Sequence, residues 1–295
     1  MEEITLFTQS AAGTGREAND ANNKKRETIL AGLFNGQYQD FLADDRWSTL
    51  KTKFRHALEE IGQSAGLLEP YDITLQQKGG RGYNYDFLVT INGREFRIEF
   101  KFGGTSVTNI PEYFNPAADK PFHPVLYARY FYHNYLPEIV ALKPDLPLPT
   151  EEVYMANIHK NSSKNAFFIK LKEAENDRVF YEQKSAIVKR SITAFLTDHR
   201  STTNFAAITA EFQRSQENKW FLLYSGTFHH DQIHPDELIV DGPADIRNGN
   251  LLVLNAKQPG TSHEMLLRWK NHQGILYPAW QISMKRAAAA AAAAP

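Results

Sequence analysis

Asp86, Glu99 and Lys101 stand on either side of Asn92-Gly93, and that placement specifies a chemistry. Asn-Gly between two alternating apolar runs predicts a two-residue hairpin, because a type I′ turn needs positive φ at both central positions. In such a hairpin Ile91 pairs with Arg94, Val89 with Phe96, Phe87 with Ile98, and Asp86 with Glu99. Strand alternation then gathers Tyr85, Phe87, Val89, Ile91, Phe96, Ile98, Phe100 and Phe102 on a core face. Asp86, Leu88, Thr90, Glu95, Arg97, Glu99 and Lys101 fall on the other. Two carboxylates facing across a strand pair, with Cβ atoms about 4.5–5.5 Å apart, weaken a sheet unless a cation lies between them. Mg²⁺ suits that gap, since it takes one or two carboxylates and completes its shell with water and phosphate oxygens; Mn²⁺ would substitute. Lys101 would polarise an attacking water or stabilise charge on a phosphorane, beside a metal acting as Lewis acid and water activator.

The elements that must position these residues are legible around them. From Arg46 to about Ser64, Trp47, Leu50, Phe54, Ala57, Leu58 and Ile61 recur at helical spacing. Three runs of strand character follow, at 72–77, 85–91 and 95–102. Residues 10–26 carry almost nothing apolar and read as the end of a mobile arm over 1–26. A single domain over 27–286 is expected, with elaborations from about 103. The stretch 103–149 reads as irregular, with one short helix at 125–134. Beyond it the patterns predict strands at 152–158 and 166–171, helices at 177–197 and 204–214, and a buried strand at 219–224. A late hairpin, 263–269 with 275–284, closes the list. The fold class is α/β or mixed α+β. Residues 287–295, alanines ending in Pro295, are set aside as a tail that need not be native structure.

Asp86 and Glu99-Phe100-Lys101 in this setting resemble the PD-(D/E)XK, or restriction-endonuclease-like, nuclease superfamily. Its core runs helix, three-stranded meander, helix, strand, with Asp opening the second strand and (D/E)-X-K on the third. The resemblance covers 46–102, and Tyr85 stands where the motif's name has Pro. Glu182-Gln183-Lys184 and Glu217-Asn218-Lys219 match the same three-residue pattern without a hairpin, so the weight rests on the conjunction of helix, first strand, opposing Asp86 and facial alternation. The resemblance implies metal-dependent endonucleolytic cleavage of phosphodiesters, with Asp86 and Glu99 as ligands, the Phe100 carbonyl as a further ligand and Lys101 as base or electrostatic partner. Many members add a carboxylate from the first helix; at 100° per residue Glu60 lies beside the Ala57 and Ile61 stripe whereas Glu59 points away, so Glu60 is the expected contributor.

The loop Lys78-Gly79-Gly80-Arg81-Gly82-Tyr83-Asn84 feeds into Asp86. Lys78, Arg81 and Asn84, with Arg97 on the active face, are expected to meet nucleic-acid phosphate, a plain connection being the alternative. A second basic stretch, Lys160, Lys164, Lys170, Lys172, Lys184, Lys189 and Arg190, reads as a duplex track or a solvated surface. His229-His230-Asp231 with His234 reads as polar surface rather than a metal site. Duplex DNA is the expected substrate, cut by a homodimer. RNA or single strands stacked on Tyr113, Phe114, Tyr127, Tyr130, Phe131 and Tyr132, or a non-catalytic binding module, are the alternatives.

Composition removes other chemistries. No Cys is present, which excludes disulfide scaffolds, thiolate zinc sites, iron–sulfur clusters and cysteine nucleophiles. A formal charge of −1 leaves no global field toward nucleic acid or lipid, so any such binding is local. The opening Met1-Glu2-Glu3 lacks a signal-peptide pattern and no run of about 18 apolar residues occurs, so an intracellular protein, cytoplasmic or nuclear, is expected.

Overall fold

The computed structural model describes residues 2–8, 16–79, 83–159, 165–242, 245–271 and 276–287. The chain is mixed α and β, with two sheets among the described residues. It divides into two compact units, 1–110 with 214–234 and 111–213 with 235–295, where the sequence predicts one domain. The region read as elaborations builds a second unit because it contributes a sheet and a core of its own.

In the first unit, α3 (Asp45–Ser64) starts at Asp44, whose carboxylate accepts from the Arg46 N–H at 2.9 Å. The helix buries Trp47, Leu50, Phe54, Ala57, Leu58 and Ile61. β1 (Ile73–Gln77), β2 (Phe87–Ile91) and β3 (Arg94–Phe102) form an antiparallel meander. β4 (Lys219–Tyr224) runs parallel to β3, and β5 (Phe228–Asp231) antiparallel to β4. The register joins Ile91 to Arg94, Val89 to Phe96 and Phe87 to Ile98, as the turn residues predict. Asn92 and Gly93 have φ of 50° and 80°, the positive values that turn demands. Phe87, Val89, Phe96, Ile98 and Phe100 pack with the α3 stripe in one core cluster, each fully buried large side chain contributing about 1.5–3 kcal/mol.

The amino-terminal region departs from the expected arm. α1 (Thr5–Thr8) and the residues before it bury Ile4 and Phe7; the Phe7 ring meets Trp47 and Tyr224 edge-on, centroids 6.2 and 5.8 Å apart. α2 (Arg16–Phe34) covers much of the polar run. Its buried Ile29, Leu30, Ala31 and Leu33 lie in the last two turns, and this anchored end carries a polar first half that no periodicity announces.

The second unit holds α4 (Tyr127–Asn134), α5 (Leu136–Ala141), α6 (Glu151–Asn157), α7 (Ala166–Ala174) and α8 (Arg178–His199), with most of α9 (Phe205–Gln216). Its antiparallel sheet runs β6 (Asp245–Arg247), β7 (Leu251–Asn255), β8 (Thr261–Asn271) and β9 (Leu276–Arg286). The stretches 152–158 and 166–171, predicted as strands, are therefore helical. Short apolar runs are ambiguous by period, and capping decides them here: Thr150 accepts from Val153 N–H, and Asn165 accepts from Phe167 and Phe168 N–H. The late hairpin is β8 with β9; its turn, 272–275, and the tail, 288–295, lie outside the described residues. Among the described residues no helix is long and apolar enough to cross a membrane.

Candidate active site

Asp86 sits one residue ahead of β2, where the ladder gives way to side-chain bonding. Its N–H donates to the Ile98 carbonyl at 2.9 Å and its carbonyl accepts from Lys78 N–H at 2.7 Å. The carboxylate reaches across and accepts from the Phe100 N–H at 2.9 Å. The Asp86 side chain therefore replaces a main-chain acceptor at the end of the strand, which fixes it beside Glu99. In an extended strand one residue's N–H and C=O face the same neighbour, so the Phe100 carbonyl faces this end of β2 too.

Glu99 is held on both oxygens. Lys101 Nζ lies 2.6 Å from Oε1 and Lys219 Nζ 3.0 Å from Oε2. Lys219 begins β4, and the parallel register pairs it with Arg97, so Lys219 and Glu99 share a sheet face. Burial pushes the Glu99 carboxyl up, but the Lys219 and Lys101 ammoniums more than offset this and leave it below its ordinary value. For Asp86 the balance goes the other way: burial, then the Glu99 charge, raise its pKa to about 6 against the partial relief of the Phe100 N–H and of the Lys101 and Lys219 ammoniums.

A third carboxylate arrives from α2. Burial, followed by the charges of Asp86 and Glu99, raises the Glu27 pKa to about 8. Its Oε2 lies 3.8 Å from where a Cβ would stand on Gly79, whose φ of +61° suits glycine, so the loop backbone passes beside this carboxylate. The helical carboxylate whose charge is coupled to Asp86 and Glu99 is Glu27, not the expected Glu60. Glu60 lies on α3, whose apolar stripe covers the opposite, core face of the sheet, and its ion-pair partners are His56 at 3.5 Å and His230 at 3.7 Å.

Sequence reasoning missed two groups. Lys219 ends Glu217-Asn218-Lys219, which has no hairpin to recommend it; the signal available is a lysine opening the buried run Trp220 to Tyr224. Glu27 gave none, because its helix is polar around it. Of the expected phosphate contacts, Arg81 lies outside the described residues. Lys78 Nζ stands 5.6 Å from the Tyr83 ring centre. The Asn84 amide donates to the Ser215 carbonyl at 2.7 Å, and Arg97, 38% exposed, donates to the Glu217 carbonyl at 3.3 Å.

The rival features have structural roles. Asp231 accepts from Ser106 Oγ at 3.0 Å and Val107 N–H at 2.9 Å, securing a loop. Lys184 is buried and paired with Glu175, and Arg190 pairs with Glu138. Lys160 and Lys164 lie outside the described residues. Tyr113, Tyr127 and Phe131 are buried, so three of the six aromatics offered for base stacking belong to a core. Among the described residues no group of three or more His, Asp or Glu side chains is arranged to hold a metal ion by itself. Comparison with protein-family models, curated proteins and solved structures returns no match to this chain.

Proposed function

We propose that the first unit is a metal-dependent endonuclease of the PD-(D/E)XK kind, hydrolysing phosphodiester bonds of duplex DNA. One observation carries the reading: at the open end of a hairpin the Asp86 carboxylate, held on the Phe100 N–H, lies within reach of the Glu99 charge, with Lys101 on Glu99. The antiparallel meander followed by β4 parallel to β3 supports it, since that is the strand order the resemblance implies.

The donors fit Mg²⁺. Asp86, Glu99 and the Phe100 carbonyl offer hard oxygens, and Mg²⁺ needs only one or two carboxylates with water, so a closed cage is not required. Glu27 and Asp86 are raised by burial first and by neighbouring carboxylate charge second, and a bound dication would offset that penalty. Asp86, Glu99 and Phe100 O would hold the ion, which would supply Lewis acidity and lower the pKa of bound water, with Glu27 close enough to feel the charge there. Lys101, its side chain 26% exposed, is the group able to leave Glu99 and meet a scissile phosphate. Lys78 and Arg97, on the loop and the active face, would carry the flanking phosphates.

The test is incubation of supercoiled plasmid, linear duplex and single-stranded RNA with Mg²⁺, Mn²⁺ or EDTA. Duplex cutting that EDTA abolishes supports the proposal; RNA cutting alone overturns its substrate, and no cutting by folded protein overturns it altogether.

Glu27 gives a pH signature. Its raised pKa leaves it protonated at pH 7, so metal binding must displace a proton, and apparent affinity grows until the pH passes about 8. The Mn²⁺ concentration giving half-maximal thermal stabilisation should fall about fivefold from pH 7 to pH 8, by one-proton linkage. Glu27→Gln should weaken binding and remove this step; an unchanged pH dependence in the variant would show that Glu27 does not sense the metal.

A further inference from the structure

Lys219 is a charged side chain only 2% exposed, and its ammonium joins segments that must meet for the site to exist. It contacts Glu99 Oε2 on β3 and donates to the Asn84 carbonyl, two residues ahead of Asp86. Asn84 in turn grips the Ser215 carbonyl near the end of α9. One ammonium on β4 therefore ties the strand that carries Glu99 to the loop that delivers Asp86.

We propose that Lys219 is a positioning residue of the site, which holds Glu99 in place while Lys101 exchanges between Glu99 and the substrate. The inference rests on the reading of the site as a metal-dependent phosphodiesterase. The two lysines take separate oxygens of one carboxylate, but they differ in access. Lys101 is 26% exposed and ends near the open side, whereas Lys219 is sealed beneath the sheet face, with Nζ 5.2 Å from the Phe221 ring centre. A buried lysine in that position does not reach substrate. When Lys101 turns to a phosphate, Lys219 keeps Glu99 from following it or swinging out of line with Asp86. Partners of this kind, one step behind the ligands, typically carry about 10–100-fold in metal affinity or activity.

A purely structural role is separable from this one. Removing one member of a buried ion pair typically costs about 3–5 kcal/mol, a loss that Lys101 moderates here by staying on Glu99. In Lys219→Met, the melting temperature without metal should therefore fall, and metal binding and turnover are read below it, where the variant is folded. The Mn²⁺ midpoint, read from metal-dependent thermal stabilisation, should rise about 10–100-fold, and kcat for duplex cleavage should fall in the same range with KM for DNA little changed. Lys219→Gln, which keeps a donor for Glu99 and Asn84, should recover part of both. The inference is overturned if Lys219→Met binds Mn²⁺ and turns over like wild type, or if neither variant folds. A wild-type protein that shows no Mn²⁺-dependent stabilisation and no cleavage overturns the site itself, and this inference with it, a result distinct from a responsive wild type with an unaffected variant.

Discussion

Lys101→Ala should lower the single-turnover rate of metal-dependent duplex cleavage by about 10²–10⁴-fold, the usual range for removing a positioned acid–base or charge-stabilising group. The expectation follows from where Lys101 stands. Its ammonium is 2.6 Å from Glu99 Oε1, at the mouth of the hairpin, and it is the more exposed of the two cations on that carboxylate. Folding should survive the change, because Lys219 continues to neutralise Glu99. Metal binding should survive as well, since the oxygen donors are untouched. The variant therefore separates chemistry from assembly: Mn²⁺-dependent thermal stabilisation persists while cleavage disappears. A Lys101→Ala protein that cuts at the wild-type rate would remove Lys101 from the reaction and leave the hairpin as a binding surface.

What the sequence discloses about this site is what local rules determine. Asn92-Gly93 sets the register from Ile91↔Arg94 to Phe87↔Ile98, which brings Asp86 to the end of the ladder near Glu99. Lys101 follows from the same alternation. Groups that arrive through tertiary packing are invisible to those rules. Glu27 belongs to a helix whose apolar anchor lies in its last turns, so the polar stretch just ahead of it reads as an arm and nothing local marks it out. Lys219 is separated from Glu99 by more than a hundred residues, and only the parallel pairing of β3 with β4 brings them together. Helix phase points to Glu60 because it fixes the side of α3 a residue occupies but not which face of the sheet α3 covers. The strands expected at 152–158 and 166–171 failed for a related reason: their apolar runs are short, and Thr150 and Asn165 act as caps that start helices.

Asp86→Asn should abolish cleavage and, at the same time, make the metal-free protein more stable at neutral pH. The two effects have one cause. Asp86 is raised from an ordinary 3.8 to about 6 by burial and by Glu99, so in the folded chain its ionised form is disfavoured relative to the unfolded chain. A folded-state pKa above the unfolded one means that stability is fully present below about pH 4. It is lost as pH rises through about 6, then levels off. Asparagine never ionises, and its side-chain oxygen can still accept from the Phe100 N–H, so the variant avoids that loss. The advantage should emerge between pH 4 and 6 and reach about 1–3 kcal/mol above it, at 1.36 kcal/mol per pH unit of displacement. The cost falls on function: with one anionic ligand gone, Mn²⁺-dependent stabilisation should collapse and cleavage should drop by at least about 10²-fold. Chemical denaturation at pH 4 and pH 8, with and without Mn²⁺, reads both effects. A variant less stable than wild type at pH 8 without metal would show that Asp86 is a structural acceptor first. Stabilisation confined to the metal-free protein would instead mark Asp86 as a carboxylate kept at a stability cost that a bound dication offsets.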